Sequence, residues 1–296
     1  MSTYQPDIII YHSPCSDGFA AAWACWKKWG DSPKYFPTNY GRSPPDVSDK
    51  HVLIVDFSYK QDVIAQMAQQ ASTIVILDHH KSARDDLAPF SVGTLNRGHL
   101  HHSDISGILR DFASDNHPPV LASFDMDRSG ARMAWDFCHE TDAPKLIKLV
   151  EDRDLWRFQY EDTKPFALML KTVAERFDTW DALNQNMTDE RMIEAHGMVR
   201  YHDYLVSRIA RKAHWVERGG IRFLAVNCPP ELSSEVANQI LLNDPDTPFA
   251  ATWIDGETHR GWSLRSTDKR MDVSDIASGY GGGGHRNAAG FAEPLS

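Results

Sequence analysis

Four cysteines in 296 residues, with no CxxC pair among Cys15, Cys25, Cys138 and Cys228, exclude a disulfide-built scaffold and offer neither a zinc knuckle nor a dithiol redox motif. Reduced thiols are expected. Long apolar runs are also missing: the longest, Phe19 to Trp26, has eight residues and stops at Lys27 and Lys28, far short of the roughly 20 that cross a bilayer as a helix. No membrane association is expected. No basic start precedes Ile8 to Ile10, so the expectation is a chain without a secretory signal, working in the cytoplasm. Positive charge is in deficit as well. With 31 Lys and Arg against 41 Asp and Glu, the formal net charge is −10, which opposes wrapping of long duplex nucleic acid and leaves short or small anions as substrates. No internal period of roughly 20 to 50 residues suggests a solenoid. What remains, 42% hydrophobic and 24% charged residues, is the composition of a folded chain long enough for two domains.

Asp7 to Tyr11 reads as a buried strand and Asp17 to Trp29 as a helix ended by Gly30. His51 to Asp56, Asp62 to Gln70 and Thr73 to Asp78 repeat the alternation, with near-continuous apolar strands of the kind a parallel sheet buries on both faces. The N-terminal half is therefore expected to be an α/β, doubly wound, mostly parallel sheet. Arg97 to Pro119 is a polar, His-rich excursion before a strand at Val120 to Phe124, a lid or a surface insertion. His99, His101 and His102 within it read as solvated surface. Helices follow over Ser129 to Glu140 and Pro144 to Glu151, and a long one over Asp189 to Glu217 ends at Gly219-Gly220. Beyond it, a strand at Ile221 to Asn227, a helix at Glu231 to Leu242 and a hairpin-like pair around Asp255-Gly256 indicate a second, smaller α/β domain. The expected division is residues 1–188, a helical connector over 189–218, and 219–296.

Ligands in open parallel sheets sit beyond the carboxyl ends of the strands. His12, Asp17, Asp56, Asp78, His79, His80 and Asp152 are placed at strand ends or on a following helix. Singly, each reads equally well as a helix cap or a satisfied core group. Together, oxygen and imidazole donors of this kind could hold two divalent cations, with manganese suited better than magnesium. A strand-end carboxylate such as Asp56 could bridge the pair.

The segments HSPCSDG, VDFSY, LDHH and EDRDLW occur in that order, and Gly281-Gly-Gly-Gly284-His285-Arg286 lies about 200 residues after Asp78-His79-His80. On these motifs the chain resembles the DHH-family phosphoesterases that carry a DHH-associated C-terminal domain, a group that includes RecJ-like exonucleases, nanoRNases and dinucleotide phosphodiesterases. The resemblance spans nearly the whole chain. It implies His12 as a ligand of a first metal, Asp17 as a ligand of a second, Asp56 as the bridge, and His79 with Asp152 completing the second site. Asp154 is the substitute for Asp152. His80 would face the phosphate and Asp78 would orient its loop. One position departs from the family pattern: Cys15 stands where an earlier Asp is usual. Either it coordinates as a thiolate or the first site lacks one charge and binds its ion more weakly; a buried apolar role remains the third reading. In the C-terminal domain, Gly282, Gly283 and Gly284 would let backbone amides approach a phosphate, with His285, Arg286 and Arg265 gripping it. Lys269 and Arg270 add positive charge there. Four glycines also read as a flexible loop.

The resemblance, not the composition, supplies the expected reaction: metal-dependent hydrolysis of short oligonucleotides or dinucleotides to nucleoside monophosphates, with two Mn2+ or another divalent pair. A cyclic-dinucleotide or nucleotide-phosphate phosphohydrolase is the nearest alternative. A catalytically weak nucleotide-binding module, suggested by Cys15, is the alternative of another class. No long duplex and no membrane are expected as partners, and a homodimer stays open.

Overall fold

The computed structural model describes residues 4–91, 99–114 and 119–295. They form two compact units, Met1–Gly197 and Met198–Ser296. Arg97 falls outside the described residues.

The first unit opens with β1 (Ile8–His12), α1 (Ser16–Trp29), β2 (Lys34–Thr38), β3 (His51–Val55), α2 (Gln61–Ala68), β4 (Thr73–Asp78) and α3 (Lys81–Asp86). It continues with α4 (Ile105–Ser114), β5 (Val120–Phe124), α5 (Gly130–Cys138), α6 (Lys145–Asp154), α7 (Thr163–Leu170) and α8 (Phe177–Gln185). All strand pairings are parallel, in the order β2-β1-β3-β4-β5. The continuous apolar runs are explained by burial on both sides. Ile9, Tyr11, Leu53, Val55, Val75 and Leu77 pack into one core with α1, α5 and α6. Their neighbours Ile8, Ile10, Val52, Ile54, Ile74 and Ile76 pack into another with Ile64 and Met67 of α2. With a period of two, neither face of a strand meets water. The strand order reverses between β1 and β3, and that switch point opens a crevice at the carboxyl ends of those two strands. Their ends carry His12 and Asp56.

α9 (Asp189–Ala210) is one helix on which the division between the units falls. The expected connector helix is shorter at its end, because residues 214–218 form a strand. The second unit contains β6 (His214–Arg218), β7 (Ile221–Asn227), α10 (Ser233–Asn243), β8 (Ala250–Asp255), β9 (His259–Arg265), α11 (Val273–Gly279), β10 (Gly283–His285) and β11 (Ala288–Pro294). Gly219 and Gly220 both have positive φ, 56° and 76°, and turn β6 back onto β7 as a two-residue hairpin. The sheet runs β10-β11-β9-β8-β7-β6, with only β7 and β8 parallel. Among the described residues no helix is long and apolar enough to cross a membrane.

The His-rich excursion is not a solvated surface where it is described. His101 and His102 are 4% and 7% exposed, because Leu100 and Ile105 on either side are drawn into the core with Phe137. The His102 amide donates to the Phe137 carbonyl at 3.0 Å, and its ring meets those of His101, Trp29 and Phe137. Burial, then the neighbouring His101, Lys28 and His139, push its pKa down to about 4. A histidine ordinarily titrating near 6.5 then takes up its proton in the unfolded chain before it does so in the folded one. Stability contributed by the neutral ring is complete above about pH 6.5 and is lost as pH falls toward 4. Replacing His102 by Phe removes that loss. Chemical denaturation at pH 7.5 and 4.5 should show the variant gaining about 1 kcal/mol on the wild type at the lower pH.

Candidate metal centre

At the switch point the backbone itself aims the donors. Asp56 leaves β3 with φ 53°, a left-handed conformation that a non-glycine residue adopts at a cost of order 1 kcal/mol. Its amide is tied to the Leu77 carbonyl at 2.9 Å. Asp17 lies in the first turn of α1. Its Oδ2 accepts the Gly130 amide at 2.7 Å and its Oδ1 the Ala131 amide at 3.1 Å, so it caps the positive end of α5. Two glycines permit this closeness. A Cβ on Gly18 would stand 2.2 Å from the His12 carbonyl oxygen, and one on Gly130 would stand 2.4 Å from Asp56 Cβ.

His79 is the hub. Its Nε2 lies 3.1 Å from Asp56 Oδ1, 3.6 Å from Asp17 Oδ2 and 3.7 Å from Asp154 Oδ2, with its side chain 2% exposed. On the other side of Asp56, His12 Nδ1 is 3.6 Å from Oδ2. Among the described residues three donor triads contain Asp56, namely Asp17-Asp56-His79, His12-Cys15-Asp56 and Asp56-Asp78-His80, each with its ligand atoms within 4.8 Å of one another. The structure thus brings together His12, Cys15, Asp17, Asp56 and His79.

It does not bring Asp152 there. Both Asp152 oxygens are engaged elsewhere, accepting the Gln159 amide at 3.0 Å, the Tyr160 amide at 3.2 Å and the Thr163 hydroxyl. Asp154 takes the place instead. Two residues apart on α6, the side chains diverge by about 200°, so one faces the cluster and the other anchors the following loop. Asp78 reaches the cluster beside Asp56 and His80 while both of its oxygens accept hydrogen bonds. Its Oδ2 accepts the Ser58 hydroxyl at 2.7 Å, and its Oδ1 accepts the His79 amide and His80 Nδ1, both at 2.7 Å. It fixes the loop and the plane of the His80 ring, 4.9 Å from that of His79. Ser58 and Gly130 went unassigned in the sequence, although VDFSY and the Ser129-Gly130 helix start were both visible there. Tyr40 was missed for want of any motif; its ring lies 5.6 Å from His12 and 6.4 Å from His80.

The electrostatics call for a cation. Burial, then repulsion from Asp56 and Asp154, raises the Asp17 pKa well above the carboxylate range. Burial raises Asp154 as well, against the attraction of His79. Burial also acts against ionised Asp56, but the imidazoles of His12 and His79 outweigh it and hold that carboxyl well below its usual range. Cys15 is pushed well up by burial and by Asp56, Asp154 and Asp17, which keeps it a thiol in the protein alone. Asp56 Oδ2 is buried without a hydrogen-bond partner among the described residues. An orphaned carboxylate oxygen beside imidazole and further carboxylates fits a divalent cation.

In the second unit, Gly283 and His285 lie in β10, the edge strand, paired with β11. The Gly281 and Gly282 amides bond back to the Ser278 and Ala277 carbonyls at 3.0 and 2.9 Å, closing α11. Gly282 is thereby corrected from a phosphate-facing amide to a helix-closing one. Gly282 and Gly284 are glycines because a Cβ on either would stand 2.1 and 2.5 Å from the carbonyl oxygens of Gly290 and Ala288. The run is thus divided between the close of α11, at Gly281 and Gly282, and strand β10, at Gly283 and Gly284. Arg286 is exposed and reaches Asp272 Oδ2 at 3.4 Å and the Asp268 carbonyl at 3.1 Å. Arg265 donates to Ser234 Oγ at 2.6 Å. Arg270 is spent on the end of α10, donating to the Leu241 and Thr247 carbonyls.

No family model matches the chain. It is 27% identical over 319 residues to an uncharacterized protein of Acanthamoeba polyphaga mimivirus, covering 97% of this chain and 68% of that one. Among solved structures, the DHH domain of a member of the s1p family of ribosomal proteins superimposes with a TM-score of 0.50 at 13% identity, over 98% of this chain and 83% of that one. A pGpG-specific phosphodiesterase from Vibrio cholerae gives 0.43 at 13% identity, over 97% and 93%. An exopolyphosphatase-related protein from Bacteroides fragilis gives 0.46 at 13%, over 97% and 87%. What the chain shares with that DHH domain is its fold.

If the cluster holds cations, adding Mn2+ to chelator-treated protein raises Tm, since ligand at 100-fold its Kd adds about 2.7 kcal/mol. Asp154→Asn and Gly130→Ala should abolish most of that rise. Asp152→Asn should keep the rise while lowering Tm in chelator, because a buried acceptor of three hydrogen bonds is weakened at a cost of about 1–3 kcal/mol. The opposite result for the two aspartates would restore Asp152 to the centre.

Proposed function

We propose that the protein is a metal-dependent phosphodiesterase that hydrolyses short oligonucleotides or dinucleotides to nucleoside monophosphates. The observation that carries this reading is that the donor triads Asp17-Asp56-His79 and His12-Cys15-Asp56 meet at Asp56, at the switch point of a DHH-family fold. A bridging carboxylate between two such sets is the arrangement used for in-line phosphoryl displacement, with the ions about 3.5–4 Å apart. Two Mn2+ are the proposed occupants, held by His12, Asp17, Asp56, His79 and Asp154, with Cys15 beside the first.

Bound divalent ions supply Lewis acidity and a nucleophile from water at neutral pH. The chain's own residues do the rest. Asp56 spans both sites through its two oxygens. Asp17, locked to the α5 N-terminus, cannot rotate away when substrate arrives. Asp78 accepts from His80 Nδ1, fixes the plane of that ring and, against its burial, favours its protonated form, whose Nε2–H would be the donor offered to a phosphoryl oxygen. In the second unit, Gly283 and Gly284, with His285, Arg286 and Arg265, are proposed to hold the terminal phosphate.

Charge supports short substrates. Residues 1–197 carry 20 Lys and Arg against 29 Asp and Glu, whereas residues 198–296 carry 11 against 12. The acidic excess therefore belongs to the unit with the cluster, and the second unit is near neutral. A long polyanion gains little on such a surface, and a compact one needs only the local grip described.

The deciding experiment is a panel of mono-, di- and longer nucleotides, with a cyclic dinucleotide included, assayed with Mn2+ for monophosphate release. Release from linear di- to tetranucleotides, falling with length, is expected. Product only from the cyclic substrate would move the assignment to a cyclic-dinucleotide hydrolase, and binding without turnover would make it a regulatory module. Asp56→Ala should cost on the order of a thousandfold in kcat, about 4 kcal/mol of barrier. Cys15→Asp adds a charge to the first triad and should tighten Mn2+ about tenfold, roughly 1.4 kcal/mol; an unchanged titration would remove Cys15 from the ligand set.

A further inference from the structure

Beside the metal centre one large side chain is left open to solvent. Tyr40 is 57% exposed, although its ring stands among the side chains of the site, with centroids 5.2 Å from Phe57, 5.6 Å from His12 and 6.4 Å from His80. Backbone puts it there. β2 runs parallel to β1 with Thr38 opposite His12, and the Ser13 amide donates to the Thr38 carbonyl at 2.8 Å, so the chain leaves β2 at the same carboxyl edge that carries His12. A turn follows at once. The Arg42 amide donates to the Asn39 carbonyl at 3.2 Å, and Gly41 has φ 80°. A bond between the first and fourth residues with positive φ at the third makes a type II turn, which calls for glycine at that third position. The Asn39 side chain braces the turn by accepting the Tyr40 amide at 2.8 Å.

These contacts use the ring and leave the hydroxyl idle. His12 and His80 meet the ring plane at 64° and 82°, whereas the hydroxyl has no hydrogen-bond partner among the described residues. Burial of that end, then Asp78, Asp56 and Cys15, push its pKa well above the ordinary value, so the proton stays on the oxygen and the charges that act on it are those of the centre. A neutral donor in such a place suits an anion, because hydrogen bonds to a charged acceptor are roughly twice as strong as those between neutral groups. Carboxylate ligands and the cations they hold offer an anion no hydrogen-bond donor, yet a phosphoryl group gathers charge on its oxygens as it is transferred. A hydroxyl held ready by the packing of its ring against His12, Phe57 and His80 needs no reorganisation when that charge develops.

We propose that Tyr40 is a phosphoryl-binding residue, whose hydroxyl donates a hydrogen bond to a non-bridging oxygen of the substrate phosphate on the side of the centre where His12 and His80 stand. This deepens the proposed hydrolysis and rests on it for the identity of the substrate, but the bond itself forms on binding and needs no turnover. Tyr40 is not a metal ligand in this assignment. Its loss therefore acts on the anion and not on the cations, which separates it from His12 beside it.

The test is calorimetric titration of inorganic phosphate into the full chain loaded with Mn2+, with Mn2+ affinity measured separately in the absence of phosphate. Tyr40→Phe keeps the exposed ring and removes only the hydroxyl, so the fold is not at stake. The variant should bind phosphate about tenfold more weakly, the effect of losing one hydrogen bond to a charged group, and should bind Mn2+ within about twofold of the wild type. Where the wild type turns over a linear dinucleotide, kcat/KM of the variant should fall by about tenfold or more. Tyr40→Leu, which removes the ring as well, should bind phosphate no better than Tyr40→Phe. Phosphate affinity or kcat/KM unchanged in Tyr40→Phe overturns the role, as does a loss of Mn2+ affinity equal to the loss of phosphate affinity, a loss of phosphate affinity only in Tyr40→Leu, or a wild type that binds no phosphate. Phosphate binding that depends on the Tyr40 hydroxyl, without hydrolysis of any nucleotide, leaves the role standing and removes the proposed function instead.

Discussion

Asp17, Asp56 and Asp154 come from three separate elements and converge on one imidazole, with oxygens 3.1 to 3.7 Å from His79 Nε2. Two unit charges at about 4 Å repel by about 4 kcal/mol at an effective dielectric constant of 20, so carboxylates gathered round one imidazole oppose one another. One imidazolium offsets only part of this. Against a net stability of about 5–15 kcal/mol for a domain, the cluster is a load that the fold must hold in place. Burial and the neighbouring carboxylates raise the pKa values of Asp17 and Asp154, so each takes up a proton more readily than a free carboxylate does. A divalent cation relieves the load better, because it attracts all three at once and leaves no buried oxygen orphaned.

The rest of the first unit reads as the apparatus that holds this load. The central parallel strands β1, β3 and β4, buried at all but one end position each or throughout, make a rigid edge, and the order reversal between β1 and β3 leaves a gap in that edge where side chains can converge. Helix α1 is sunk so deep that every residue from Asp17 to Cys25 is buried, which requires Gly18 against His12. Helix α5 then points its N-terminus at Asp17 and presses Gly130 against Asp56. Each close approach removes a rotamer from a ligand, so the entropy of ordering the site is met during folding rather than at binding.

Much of this was legible because local pattern and global role coincide. The runs HVLIVD and TIVILD can only be strands buried on both faces, and a parallel sheet fixes where their terminal aspartates point. Asp152 and Asp154 were not separable by sequence, since both follow an apolar helical run and only the last turn of α6 decides which faces inward. His101 and His102 misled for a different reason. Histidines in a polar stretch look solvated, yet two flanking apolar residues, Leu100 and Ile105, outweigh them by carrying the segment into the core. β2 went unread because Pro37 and exposed positions break its alternation, as an edge strand tolerates. The glycine run carried two meanings at once: backbone room for a ligand, and backbone room for the hairpin partner at Gly290 and Ala288. Sequence shows the missing Cβ but not what fills its space.

The partition of charge gives the two units different tasks that neither could perform alone. A unit with nine more acidic than basic side chains repels a phosphodiester, and its buried carboxylates add to that field until cations compensate them. Filling the cluster therefore changes the sign of the local potential as well as its chemistry, and an anion has reason to approach only a loaded centre. The second unit, with 11 basic and 12 acidic residues, presents no such barrier. Cys15, kept a neutral thiol by burial and by its carboxylate neighbours, leaves the His12 side of Asp56 with less charge than the His79 side. The asymmetry of the two triads is thus written in a single side chain.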